Sequence, residues 1–259
     1  MLIMEQYNRD FYVNVGCDYL KTIVIIQARM GSSRLPGKIL KPLGDTDVLT
    51  YVTKRCLQIK GVQEVVVATT LSSKDDAIVA WCLERDVKCF RGSENDVLSR
   101  FVDCANEYEP DYVMRVTSDC PFVDYEMASE MIALMEKGRK DIVLLDGELP
   151  RGLAVELISY ASLLKIKEIG LEQRHREHVT YYAYEFKNQF EGITFKVPEN
   201  LQAPEFRITL DTDSDYELIR ALADHFDDLL VSSVDVIDYL KHTPEVAKLN
   251  VHIEQKPVI

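Results

Sequence analysis

Short runs of β-branched and apolar residues alternate with stretches of helical spacing through the first half of the chain. That alternation restricts the fold more than any other feature. Residues 23–26 (Ile-Val-Ile-Ile) read as a buried strand. Val48, Leu49, Val52, Cys56 and Ile59 then recur at helical spacing. Residues 64–68 form a second apolar run ending in Thr69 and Thr70, and Ile78, Trp81 and Cys82 mark another amphipathic helix. A strand over 87–90, a helix over 95–108 and a strand over 111–116 continue the series. The pattern predicts an α/β fold with a doubly wound, mostly parallel sheet. The second half is less regular. It predicts strands at 142–145, 155–158, 193–197 and 206–210, and helices at 161–169, 172–186, 216–226 and 234–240. No linker, repeat or low-complexity tract interrupts it, so residues 21–259 read as one domain behind an N-terminal extension, residues 1–20.

Composition narrows the classes of function. The net charge is −13, which argues against nucleic-acid binding through basic surfaces. A local cationic pocket on such an acidic body suits a small anionic ligand. Six cysteines show no C-x-x-C spacing, so neither a zinc site nor a disulfide framework is expected. The chain has no long apolar run and no signal-peptide pattern at its start, so no membrane contact and a cytoplasmic setting are expected.

The first strand empties into a loop with two glycines, two serines and three cations: Ala28, Arg29, Gly31, Ser32, Arg34 and Lys38 carry its pattern. In an open α/β sheet, ligands sit beyond the carboxyl ends of the strands, where this loop lies. Glycine admits close backbone approach, arginine clamps phosphate oxygens and lysine adds a point charge. The loop therefore suits a polyphosphate. It is not a Walker loop, because Gly37-Lys38 is followed by Ile39 instead of a hydroxyl residue, and Gly-x-Gly-x-x-Gly is absent.

Two further segments place carboxylates at strand exits. In residues 115–124, Thr117-Ser118-Asp119-Cys120-Pro121 follows an apolar run. Asp119 there can hold magnesium or form an Asx-turn. In residues 206–217, Asp213 or Ser214 can cap the next helix and Asp215 suits its positive end, which leaves Asp211 at the crevice without a capping role.

Ala28-Arg29-x-x-Ser32-x-Arg34-x-Pro36-x-Lys38 resembles the signature of sugar-activating nucleotidyltransferases. It looks most like the cytidylyltransferases that activate acidic sugars and their spore-coat polysaccharide relatives. The resemblance covers about residues 21–228. It implies a Rossmann-like nucleotidyltransferase fold with a smaller acceptor and dimerisation subregion, a Mg2+ ion on Asp119 and Asp211, and CTP as nucleotide. Arg29, Arg34 and Lys38 would act on the triphosphate. Ala28, Gly31, Ser32, Thr69, Arg91, Ser93, Thr117 and Ser118 would complete the nucleotide site, and Glu156, Arg176 and His178 the pocket for a small anionic acceptor. The implied reaction transfers CMP to a sugar acid or related polysaccharide precursor, in a homodimer. Two other readings are a glycosyltransferase using Asp211-Thr212-Asp213 as an Asp-x-Asp motif, and a catalytically silent nucleotide-binding regulator.

Overall fold

In the computed structural model, which describes residues 20–255, the first strand is β1 (Thr22–Gln27). Its side chains alternate between two buried clusters, Val24 and Ile26 in one, Ile23 and Ile25 in the other. A strand covered on both faces needs apolar residues throughout, which is why the run shows no polar alternation. The extension read over residues 1–20 lies outside the described residues except at Leu20.

A two-strand hairpin, β2 (Pro42–Leu43) and β3 (Thr46–Asp47), precedes α1 (Val48–Cys56). The alternation continues through β4 (Val62–Thr70), α2 (Asp76–Glu84), β5 (Lys88–Gly92), α3 (Val97–Asn106) and β6 (Tyr112–Thr117). Then come α4 (Tyr125–Gly138), β7 (Ile142–Asp146), β8 (Glu156–Ser159), α5 (Tyr160–Ile169), α6 (Gln173–Glu177), α7 (Tyr181–Glu185) and β9 (Gly192–Lys196). The last helices are α8 (Asp213–Phe226), α9 (Ser233–His242) and α10 (Pro244–Ala247). Side chains of Asp47, Asp96, Asp124 and Ser159 accept the amide three residues on and start α1, α3, α4 and α5.

Seven strands form one sheet in the order β5-β4-β1-β6-β8-β7-β9. β8 pairs antiparallel with both β6 and β7, and the other pairings are parallel. Helices α1, α2, α4, α8 and α9 cover one face, while α3, α5 and α7 cover the other. The expected mostly parallel, doubly wound α/β sheet is therefore present. The strand order reverses between β1 and β6, the position where open sheets leave a ligand crevice. Gln27 and Thr117 pair across it at the strand ends.

Two predicted elements differ. Residues 206–210 do not join the sheet; Arg207 makes one isolated bridge to Arg151. Gly152, with φ +104, allows this approach: a Cβ there would lie 2.2 Å from the Ile208 carbonyl oxygen. The predicted helix 172–186 is two short helices, α6 and α7, broken at Val179, whose φ is +35. Burial of the Val179 side chain holds it in a backbone conformation that β-branched residues avoid.

Candidate active site

A cleft of about 1140 Å3 opens at the switch point. Its walls include the loop after β1, the turn after β6, the segment 149–156, the break between α6 and α7, and Asp211. Six of the lining residues are Lys or Arg and four are Asp or Glu, so a locally cationic cleft sits on a chain of net charge −13. That inversion favours an anionic ligand.

The cationic loop is folded on itself and moored to the core. The Met30 carbonyl accepts the Ser32 and Gly37 amides at 3.0 and 3.2 Å, Ser32 Oγ accepts the Leu35 amide at 3.3 Å, and Leu35 is buried. Gly37, at φ +67, turns the chain into a single 3-10 turn that begins with Lys38. Buried Asp75 accepts the Met30 amide at 2.7 Å through one oxygen and bonds Thr70 through the other, tying the loop to the end of β4. Asp75 was not among the residues expected from sequence. Arg29 and Arg34 are exposed on the cleft, and Arg100, buried at its side, stands close enough to Arg29 to feel its charge. Burial and then that charge lower the Arg100 pKa to about 10, which still leaves the guanidinium charged at neutral pH.

Lys38 sits between the two expected metal ligands. Its Nζ donates to Asp119 Oδ2 at 2.7 Å, Asp211 Oδ1 at 2.9 Å and the Leu210 carbonyl at 2.7 Å. Asp211 Oδ2 also meets Arg34 at 3.1 Å and Arg207 at 2.7 Å. Burial by itself would raise the Asp211 carboxyl, but Lys38, Arg34 and Arg207 overcome it and hold the pKa near 2. Burial also acts to lower the Lys38 pKa, and the two carboxylates more than reverse it, so the ammonium stays charged.

Asp215 underlies the arrangement. Fully buried, it accepts the Asp211 and Thr212 amides at 3.0 Å each, Arg207 Nε at 2.8 Å and Asn250 Nδ2 at 2.8 Å. Thr212, and neither Asp213 nor Ser214, is the N-cap of α8, in a capping box with Asp215. Asp213 does not line the cleft, so the carboxylate pair is Asp119 with Asp211, and the Asp-x-Asp reading loses its second member.

On the far wall, Arg115 crosses from β6 to its register partner Glu156 on β8 at 2.7 Å, and donates to Gln27 Oε1 at 3.0 Å. Thr180 also donates to Glu156. His178 and Arg151 line the same wall. Burial and then the Arg115 charge lower the His178 pKa, so its imidazole is neutral at neutral pH. Tyr184 donates to the Val143 carbonyl at 3.3 Å, and burial pushes its hydroxyl pKa up.

Of the residues predicted to bind, Ala28, Arg29, Gly31, Ser32, Arg34, Lys38, Thr117, Ser118, Asp119, Glu156, His178 and Asp211 line the cleft. Four do not. Thr69 is fully buried in β4, its hydroxyl without a hydrogen-bond partner among the described residues. Arg91 is spent on the carbonyls of Thr70 and Ser72, both at 2.8 Å, and on Asp76. Ser93 Oγ accepts the Asp96 amide at 3.1 Å just ahead of α3. Arg176 donates to the Lys167 carbonyl at 3.0 Å and meets Asp96 at 3.5 Å, bracing α5 and α6 against the start of α3. Arg115, Arg151 and Arg100 are the cleft cations that the motif reading missed. Arg115 had a signal, a guanidinium in the middle of an otherwise apolar strand.

The donor set fits a hard cation. Two carboxylate oxygens and the Leu210 carbonyl already converge on one positive centre, the Lys38 ammonium, and hard divalent ions take oxygen ligands.

Residues 23–251 match the cytidylyltransferase family. The spore coat polysaccharide biosynthesis protein SpsF of Bacillus subtilis is 37% identical over 232 residues, covering 87% of this chain and 96% of that protein. An uncharacterised protein of Methanocaldococcus jannaschii is 36% identical over 237 residues, covering 92% and 97%. Among solved structures, a cytidylyltransferase from Leptospira borgpetersenii superposes with a TM-score of 0.82 at 33% identity, covering 92% of this chain and 99% of the other. With a cleft at the switch point that gathers the loop cations and both strand-end carboxylates, and with these relatives along nearly all of its described length, the chain belongs to the cytidylyltransferase family.

Proposed function

We propose that the protein transfers CMP from CTP to a hydroxyl of a small anionic sugar derivative, a sugar acid or related polysaccharide precursor, and releases pyrophosphate. The observation that carries this reading is the meeting of Arg29, Arg34 and Lys38 with Asp119 and Asp211 in one cleft. The acceptor oxygen forms a bond to the α-phosphorus, the bond from that phosphorus to the β-phosphate bridge oxygen breaks, its electrons go to the departing pyrophosphate, and the hydroxyl proton passes to water. Such a transfer asks for positioning and charge neutralisation more than for a covalent protein intermediate. Arg29 and Arg34 hold the β- and γ-phosphates and stabilise the charge of the departing pyrophosphate. Asp119 and Asp211 would hold Mg2+, which when bound supplies neutralisation of phosphate charge and polarisation of the phosphoryl group. Arg115, Arg151 and neutral His178 line the opposite wall and present donors to an anionic acceptor.

We further propose a homodimer and a cytoplasmic setting. Leu171 is 75% exposed, close in sequence to part-exposed Leu164 and Ile169, and the cores of homodimer interfaces are more apolar than the rest of a protein surface. The five cysteines among the described residues are free, as a reducing compartment keeps them.

The test is pyrophosphate release from each of the four nucleoside triphosphates against a panel of sugar acids and phosphorylated polyols. The reading expects release with CTP and an anionic acceptor. Release that favours a purine nucleotide, or that is independent of every anionic acceptor, would count against it.

A further inference from the structure

The oxygens of the carboxylate pair are gathered around a cation that belongs to the chain itself. Lys38 Nζ lies within 2.9 Å of Asp119, Asp211 and the Leu210 carbonyl, and no other side chain among the described residues bonds both carboxylates. We propose that Lys38 is an exchangeable counter-ion, which holds the Asp119–Asp211 pair closed until a nucleoside triphosphate draws its ammonium away, so that a divalent metal enters the pair only with the nucleotide. This inference rests on the reading of the cleft as a nucleotidyltransferase site.

Charge supports the exchange. In the cluster, Lys38, Arg34 and Arg207 face Asp119, Asp211 and Asp215, so it is formally neutral as it stands. A divalent ion that arrives alone meets carboxylates whose charge is already satisfied. The three cations are not equivalent. Arg207 is buried and pinned to Asp215 by two hydrogen bonds and to Asp211 by a third, so it stays. Arg34 is one-third exposed and makes a single contact at 3.1 Å. Lys38 stands on a flexible four-carbon stem in the loop that faces the cleft. A triphosphate beside Arg29 offers both of them a more highly charged partner. Once they turn to it, one fixed cation remains against three carboxylates, a deficit of two charges that a divalent ion fills. The lysine thus serves the carboxylates first and the phosphates second, and its two partners are coupled through it.

The test uses Mn2+ as the probe, read by electron paramagnetic resonance for binding without nucleotide and by water-proton relaxation for the ternary state with CTP, with no acceptor present. The wild-type protein is expected to bind Mn2+ weakly alone and to hold it when CTP is added. Lys38→Met is expected to bind Mn2+ without nucleotide roughly tenfold or more tightly than wild type. Lys38→Gln, which keeps a donor but loses the charge, should do the same and serves if the methionine variant does not fold. Adding Asp119→Asn to either variant should remove the gain. Mn2+ binding to both lysine variants no tighter than wild type, with a normal ternary signal in wild type, overturns the counter-ion role alone. Failure of the wild-type protein to hold Mn2+ even with CTP overturns the carboxylate-pair reading and this inference with it.

Discussion

Arg34 and Asp211 pair across the cleft beside Lys38, and each makes a separate prediction. Arg34 is one-third exposed with one ion pair, so Arg34→Ala should leave the unfolding midpoint close to wild type, because such pairs contribute little. Turnover should nonetheless fall on the order of 10²-fold, since a charge contact to the leaving group acts in the transition state. Steady-state pyrophosphate release together with a thermal melt separates the two effects. Asp211 speaks to pH. Its folded-state pKa, near 2, lies below the ordinary carboxyl value of 3.8, so its contribution to stability is fully present above about pH 4 and is lost as pH falls through 2. Unfolding free energies from urea titrations between pH 5 and 2 should therefore fall further for wild type than for Asp211→Asn, by about 1 kcal/mol after allowance for solvent screening. Parallel curves would show that Lys38, Arg34 and Arg207 do not hold that carboxylate ionised.

At the scale of elements, Gly152 decides where Asp211 lies. The backbone of residues 206–210 passes the segment 149–156 so closely that a β-carbon at 152 would meet Ile208 O at 2.2 Å and Ile208 C at 2.6 Å, in a region of φ that alanine avoids. Gly152→Ala should cost about 2–5 kcal/mol from the backbone clash and strain together, and lower activity by shifting Asp211. A urea midpoint and turnover number close to wild type would contradict this. The same passage explains what the sequence revealed and what it hid. Strands β1, β4 and β6 were legible because burial on both faces favours apolar runs, broken in β6 only at Arg115, and the helices between them because one face alone is apolar. Residues 206–210 alternate apolar and polar side chains as a half-buried strand would, and Ile208 and Leu210 are buried in the main core, yet the segment makes one isolated bridge and stays out of the sheet. The two-helix form of 172–186 was hidden because the break falls on Val179, an ordinary residue held at φ +35 by its surroundings. Helix α4 was missed even though Met127, Met131, Ile132 and Met135 recur at helical spacing on its buried face. In the cleft, loop cations and strand-end carboxylates were legible because their chemistry is local. Thr69, Arg91, Ser93 and Arg176 do not line the cleft, because a motif fixes residue type and not the direction of a side chain. Arg91 and Arg176 instead satisfy backbone carbonyls that the loops leave open.

At the scale of the whole molecule, a cationic cleft sits on an acidic body that exposes apolar side chains near Leu171. Sedimentation at micromolar concentration should give a dimer, and Leu171→Asp should shift it toward monomer. A wild-type monomer with full activity would contradict the proposed assembly. The central claim is that the cleft cleaves CTP between its α- and β-phosphates and keeps the nucleoside monophosphate on the acceptor. CTP labelled in the α-phosphate and, in a parallel reaction, in the γ-phosphate tests it directly, with Asp119→Asn as the control. The α label is expected in the sugar product and the γ label in pyrophosphate, both lost in the control. Retention of both labels in CTP with every acceptor, or release of the γ label as orthophosphate, would contradict it.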